Sequence, residues 1–318
     1  MTVEAEREVR YPPAAAEAAG HDRGMTKWLP TAAIAVAVVL WASAFVAIRH
    51  VGQDVTPGAL ALGRLLVASV VLGGVLLLWR PRAGGERPDG WPRGSAWLRV
   101  LACGVMWFGV YNVALNEAER RVDAGTAAML VNIGPILIAV LAGWLLAEGL
   151  PRRLLLGCAV AFGGVLVIGL STSPGGTADL WGVALCLVSA VGYAVGVVAQ
   201  KPLLEQSSAL RVTWLACTVG TVVCLPYAPA LLSDLRSAGP AALAWVVYLG
   251  LMPTALAFTT WAYALSHSTA GQLGVSTYLV PPVAIGLGWA LLGETPAGLA
   301  YLGGVICLLG VYLSRRKS

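Results

Sequence analysis

Charge is scarce in this sequence. Asp, Glu, Lys and Arg make up 12% of its 318 residues, against about 25% in soluble domains, so there is too little polar surface to cover a water-soluble fold. Histidine is scarcer still. His21, His50 and His267 are the only three, which leaves no HExxH helix and no His–carboxylate pair. Neither a GxxxxGK[ST] phosphate cradle nor a GxSxG nucleophile elbow occurs. Glu117 and Glu119 stand two apart, a spacing that points them in different directions on a helix. The six cysteines (Cys103, Cys158, Cys186, Cys217, Cys224, Cys307) all fall in apolar stretches. They lack CxxC spacing and nearby histidines, and read as small apolar packing residues. An enzyme is therefore not expected, and neither is a metal or other cofactor. The formal net charge of +5 comes from basic residues that form no aromatic-interleaved patch, so no nucleic-acid partner is expected.

What is present in excess is apolar: hydrophobic residues make up 58% of the chain. They come in blocks of about 18 to 23 residues, the length that crosses ~30 Å of hydrocarbon. The lipid bilayer is thus the expected surrounding, and the fold class is all-α integral membrane, with about ten transmembrane helices. The expected spans are 30–48, 57–79, 97–116, 124–147, 153–170, 180–199, 210–232, 241–265, 271–292 and 297–314. Residues 1–29 mix Glu4, Glu6, Glu8 and Asp22 with Arg7, Arg10, Arg23 and Lys27, and are expected to be a disordered cytoplasmic tail. Ala42-Ser43-Ala44 resembles a signal-peptidase site, but the apolar run continues to Ile48, so the segment is read as the retained first span. With the N-terminus inside, sixteen of the twenty-one Lys and Arg residues lie on the inner side. That bias places both termini, including the basic tail 315–318, in the cytoplasm of a multi-pass inner-membrane protein.

The sequence also repeats itself. Gly134-Pro135, Glu148 and Gly157 match Val280-Pro281, Glu294 and Gly303 at a constant offset of 146 residues, and Ala124-Gly125 matches Ala270-Gly271 at the same offset. Trp41 to Arg49 lies less clearly against Gly192 to Gln200. The expected units are 30–170 and 171–314. Each holds five spans, an odd number, so the second copy is inverted relative to the first, as in many secondary transporters.

Trp41-Ala42-Ser43-Ala44-Phe45-Val46-Ala47-Ile48-Arg49, Gly63-Arg64-Leu65-Leu66 in span two, and the paired Ala147-Glu148 and Gly293-Glu294 closing spans four and nine resemble the EamA-type members of the drug/metabolite transporter superfamily. The resemblance runs from about residue 31 to 314. It implies that spans two, five, seven and ten are peripheral while the others enclose a central cavity. The implied activity is export of a small amphipathic metabolite, such as an amino acid or its derivative, by alternating access. A nucleotide-sugar or drug carrier is the alternative within the class, and a membrane scaffold without transport the alternative outside it. A monomer or weak homodimer is expected.

Candidate substrate contacts follow from polar and aromatic residues within spans. Arg64 is an intramembrane charge, costly in lipid and therefore a functional candidate, with a snorkelling or backbone-tethering role as the plainer reading. Its repeat counterpart falls near Trp214. Trp107, Tyr111, Asn112 and Asn116 sit at helical spacings that stack Trp107 on Tyr111 with the amides alongside. Trp41, Ser43, Phe45, Asn132, Tyr193, Trp261, Tyr263 and Tyr278 extend the set, although end-of-span aromatics commonly form interfacial belts and Asn commonly bonds between helices. Glu148 and Glu294 read as caps for the helices that follow them. Gly192 and Gly196 form a GxxxG for close packing, and Pro135 and Pro281-Pro282 interrupt spans four and nine.

Overall fold

A computed structural model describes residues 13–52, 54–78, 90–122, 127, 130–172, 179–292 and 298–315. Glu294, Thr295-Pro296, the Ala124-Gly125 pair and the side chains of Val46 and Arg49 lie outside the described residues. Ten helical segments correspond to the ten expected spans: α1 Pro13–Val51, α2 Pro57–Leu78, α3 Ala96–Ala118, α4 Gly134–Leu145, α5 Arg152–Thr172, α6 Leu180–Leu203, α7 Ala209–Ser237, α8 Gly239–Ser266, α9 (Ala270–Val275, Ser276–Leu279 and Val280–Leu292) and α10 Gly298–Arg315. Nine of these described helices are long and apolar enough to cross a membrane, and Gly134–Leu145 is a shorter apolar helix. The protein is a multi-pass membrane protein.

Two boundaries differ from expectation for local reasons. The backbone is helical from Pro13 and not only from residue 30. A proline at the first helical position followed by the Ala-rich run Ala14-Ala15-Ala16 favours an early start. In span four the helix restarts at Gly134 with Pro135 in its first turn, so the proline begins a helix and does not kink one. Val280 restarts α9 in the same way, 146 residues later, after the 3-10 turn Ser276–Leu279.

The repeat is built into the backbone. A π-helical stretch begins at Gly104 in α3 and another at Gly250 in α8, again 146 residues apart. Each glycine is a point of close approach. A Cβ on Gly104 would come within 3.0 Å of the Ala216 carbonyl oxygen, and one on Gly250 within 2.9 Å of that of Arg64. Arg64 therefore corresponds to Ala216, two residues from Trp214. The Ser69 and Thr221 hydroxyls meet at 3.0 Å where α2 crosses its counterpart α7. The helices α5 and α10 cross in the same way: Cys307 Sγ donates to the carbonyl of Ala161, its counterpart at offset 146, at 3.4 Å. Small residues let membrane helices approach this way and gain the dispersion contacts that replace a hydrophobic drive.

Connections at one end of the bundle, which carries Arg152, Lys201 and Arg315, are tied by side chains. Glu148 spans from the α4–α5 loop to α9, accepting the Ala270 N–H on Oε1 at 2.7 Å and the Gly271 N–H on Oε2 at 3.1 Å. It is thus a cap, as expected, but of a helix in the other half and not of α5. The loop backbone aims it: Ala147 (φ 53°) and Gly149 (φ 75°) flank it in the left-handed region. Lys201 Nζ closes the α8 terminus by donating to the carbonyls of Leu265 (2.8 Å) and Ser268 (2.7 Å), a cation placed against the negative end of the helix dipole. At the opposite end, Asp234 accepts from both the backbone N–H and the hydroxyl of Thr56 at 2.8 Å. Arg121 there bonds Glu117 (2.9 Å) and Asp179 (3.4 Å), and these bonds hold its guanidinium above its ordinary range.

Candidate functional site

Rings from α1, α3, α6 and α8 meet inside the bundle. Trp41 lies 5.0 Å from Trp261 and 5.2 Å from Phe258, and Trp107 lies 4.9 Å from Phe258, 5.3 Å from Tyr193 and 6.2 Å from Trp261. Phe108 packs on Phe258 at 4.6 Å, and Tyr111 on Tyr193 at 6.0 Å. These separations, with tilted or edge-on planes, are those of favourable aromatic pairs. Trp107 and Trp261 are fully buried. Three local devices bring the rings together. A Cβ on Gly196 would run into Trp107 Cβ, and one on Gly192 would sit 2.6 Å from the Met106 carbonyl oxygen, so the GxxxG of α6 seats α3. Pro253, within the α8 π-helix, has its carbonyl accept from Trp41 Nε1 at 3.2 Å. Ser43 shares a 2.8 Å hydrogen bond with the Tyr248 hydroxyl, tying α1 to α8 a second time.

Of the candidates named from sequence, Trp41, Trp107, Tyr111, Tyr193 and Trp261 converge, and Arg64 stands beside them. Its Nε donates to Thr254 Oγ1 at 2.9 Å, one helical turn from Phe258. Asn112 and Asn116 serve the backbone instead. Asn112 Nδ2 donates to the carbonyls of Phe108 (2.9 Å) and Trp107 (3.2 Å), and Asn116 Nδ2 to that of Pro57 (3.1 Å). For Asn112 the reason is the π-helix: its i→i+5 pattern loosens the carbonyls one turn back, and the amide side chain satisfies them. Thr254 does the same in α8, donating to the Leu249 carbonyl at 2.7 Å. Asn132 is half-buried in the turn before α4. Phe45 is 36% exposed and Tyr263 stacks on His267 at 4.4 Å, so neither joins the ring cluster. Tyr278 is fully buried against α5 and α10, and its hydroxyl meets no partner among the described residues.

Phe258, Phe108, Thr254 and Tyr248 were not singled out from the sequence. Phe258 could have been, because it stands three residues before Trp261 and four after Thr254, hence on one helical face with both. No group of three His, Cys, Asp or Glu among the described residues could hold a metal ion.

The EamA-like transporter family model matches residues 29–170 and 180–316. A protein of Streptantibioticus cattleyicolor described as "Probable terminal-alkyne amino-acid exporter" is 39% identical, over 90% of this chain and 93% of its own length. A Salmonella typhimurium protein described as "Probable amino-acid metabolite efflux pump" is 25% identical, over 65% of this chain and 72% of its own. A solved crystal structure shares the fold with a TM-score of 0.73 at 19% identity, covering 90% of this chain and 96% of that one. With both halves matched and a relative of this identity aligned along nearly the whole chain, the protein belongs to the EamA-like transporter family.

Proposed function

We propose that this transporter exports a small amphipathic metabolite, an amino acid or a derivative of one, and that the ring cluster is its binding surface. The cluster carries the reading. Aromatic side chains from both halves converge between helices, where inverted-repeat transporters bind substrate, and flat apolar walls with few polar groups suit small organic solutes. The two relatives described as exporters of amino acids or their metabolites support the same class. Trp41, Trp107, Tyr111, Tyr193 and Trp261 would contact the apolar part, with Phe108 and Phe258 completing the wall. Transport proceeds by alternating access without a chemical step, in a monomer or weak homodimer of the inner membrane that engages no nucleic acid.

The direct test is a proteoliposome uptake screen over amino acids, sugars and cationic drugs, with and without a pH gradient. Flux confined to sugars or cationic drugs would replace the amino-acid reading. Within the screen, Tyr111→Ala removes a ring contact of about 0.5–1.5 kcal/mol and should raise the half-saturation concentration several-fold. Tyr301→Ala, on α10 and 58% exposed, is the control. If both variants keep the wild-type half-saturation and flux per folded molecule, Tyr111 leaves the site.

Both termini are proposed to be cytoplasmic, on the strength of the basic residues collected at the end carrying Arg152, Lys201 and Arg315. Reporters fused after Ser318 and inserted between Arg82 and Arg93 should both be active on the cytoplasmic side. Activity of either on the outer side would overturn the orientation.

A further inference from the structure

We propose that Arg64 is the anion receptor of the transport site, so that the exported molecule carries a carboxylate about one helical turn from its apolar part. This rests on the reading of the ring cluster as the substrate surface and names the class of molecule that surface takes.

Arg64 is 6% exposed and is the eighth residue of a 22-residue apolar helix that crosses the membrane. A guanidinium there carries a large desolvation penalty unless an anion or several acceptors meet it. It receives little. Among the described residues its one hydrogen bond joins Nε to Thr254 Oγ1. The Thr254 proton is committed to the Leu249 carbonyl, so the hydroxyl presents a lone pair to Nε and holds the guanidinium plane. Both Nη nitrogens, with four of the five N–H donors, bond to no described residue, yet neither is sealed as the Gln200 amide is. Tyr111, Cys217 and Glu119 are the groups close enough to act on Arg64 electrostatically, and Glu119 forms no salt bridge with it. A tether to one hydroxyl needs only a neutral donor. A guanidinium with its forked end open is the shape that takes a carboxylate bidentately.

The fork is also in the right place. Thr254 is one turn from Phe258, whose ring touches Trp41, Trp107 and Phe108, and one turn of helix is about 5.4 Å. Tyr111, within electrostatic reach of Arg64, extends the same wall to Tyr193. Gly250 makes the approach possible, since any Cβ there would press on Val67 Cγ1 at 2.7 Å and on the Arg64 carbonyl oxygen. The equivalent position in the other half is Ala216, so the charge is present once and the pseudo-symmetric surface receives its ligand in one orientation.

The test uses the full chain in proteoliposomes with matched probes: L-phenylalanine against L-phenylalaninamide, and 4-phenylbutyrate against 4-phenylbutylamine. Flux is expected only for the carboxylate of each pair. Arg64→Lys should raise its half-saturation concentration roughly 10- to 100-fold, the range for losing a charge-assisted contact, and Arg64→Met should abolish saturable flux. Equal flux of amide and acid, or Arg64→Met with the wild-type half-saturation, overturns the proposal. If the wild type moves none of the four, the ring cluster loses its standing as the substrate surface, and Arg64 is decided by ligand-free melting in detergent. An uncompensated charge awaiting an anion predicts that Arg64→Met melts higher than wild type. A lower melting temperature makes Arg64 a structural tether and rejects the anion-receptor role.

Discussion

Gly164→Ala should strongly destabilise the protein, while Gly163→Ala, one residue away on the same helix, should be neutral or mildly stabilising. The contrast comes from the α5–α10 crossing. A Cβ on Gly164 would sit 2.6 Å from the Gly303 carbonyl oxygen and 2.7 Å from the Cys307 backbone nitrogen. A Cβ on Gly303 would meet the Gly164 oxygen at 2.7 Å in return. The obstructing atoms are mostly backbone, so no rotamer change makes room and the helices must separate along the crossing. Overpacking costs about 1–3 kcal/mol, and more where the backbone has to move; in lipid no hydrophobic drive offsets the lost contact. Gly163 has open space where its Cβ would stand, and Ala is favoured over Gly in a helix interior by about 0.5–1 kcal/mol. Thermal unfolding of the two purified variants in detergent decides the matter: similar melting temperatures would mean that the α5–α10 contact is not a tight joint.

Glu148→Ala should be nearly as damaging, through unmet hydrogen bonds and not through volume. It strips the acceptors from the Ala270 and Gly271 N–H groups, and each buried donor left unpaired costs roughly 1–3 kcal/mol. Glu148→Gln keeps one acceptor and loses the charge that favours a helix N-terminus, so its stability should lie between alanine and wild type. Ala147→Gly acts on the same loop in the other direction. A non-glycine residue at φ 53° carries about 1–2 kcal/mol of left-handed strain, which glycine relieves. The expected order of melting temperatures is therefore Ala147→Gly, wild type, Glu148→Gln, Glu148→Ala. Flux per folded molecule separates a cap from a proton carrier: a stable Glu148→Gln protein that has lost its response to a pH gradient would make this carboxylate a coupling site.

Both predictions concern contacts between the two halves of the chain, and the halves were visible in different degrees. The offset of 146 residues that pairs Gly157 with Gly303 and Glu148 with Glu294 marks the repeat in the sequence itself, and the π-helices starting at Gly104 and Gly250 follow the same offset. No residue pattern announces a π-helix, because its hydrogen bonds differ from those of an α-helix by one residue and its composition does not. The wider turn has consequences for the site. On an ideal helix Asn112 belongs beside Tyr111 on a substrate face, whereas in the π-helical backbone it bends back to the Trp107 and Phe108 carbonyls.

The sequence by itself determined the solvent, the number of crossings and the duplication, because each depends on a sum over many residues: blocks long enough to span hydrocarbon, charges too few for water, and a repeat longer than chance. Tertiary structure alone decided which partner each polar group meets. Periodicity places Glu148 at a helix end and Arg64 within a span, but it cannot say that the first reaches across to α9 or that the second has Thr254 on one side and an open fork on the other. Those outcomes depend on which helices come close, and closeness here is set by glycines whose partners are visible only when the opposing backbone is in place.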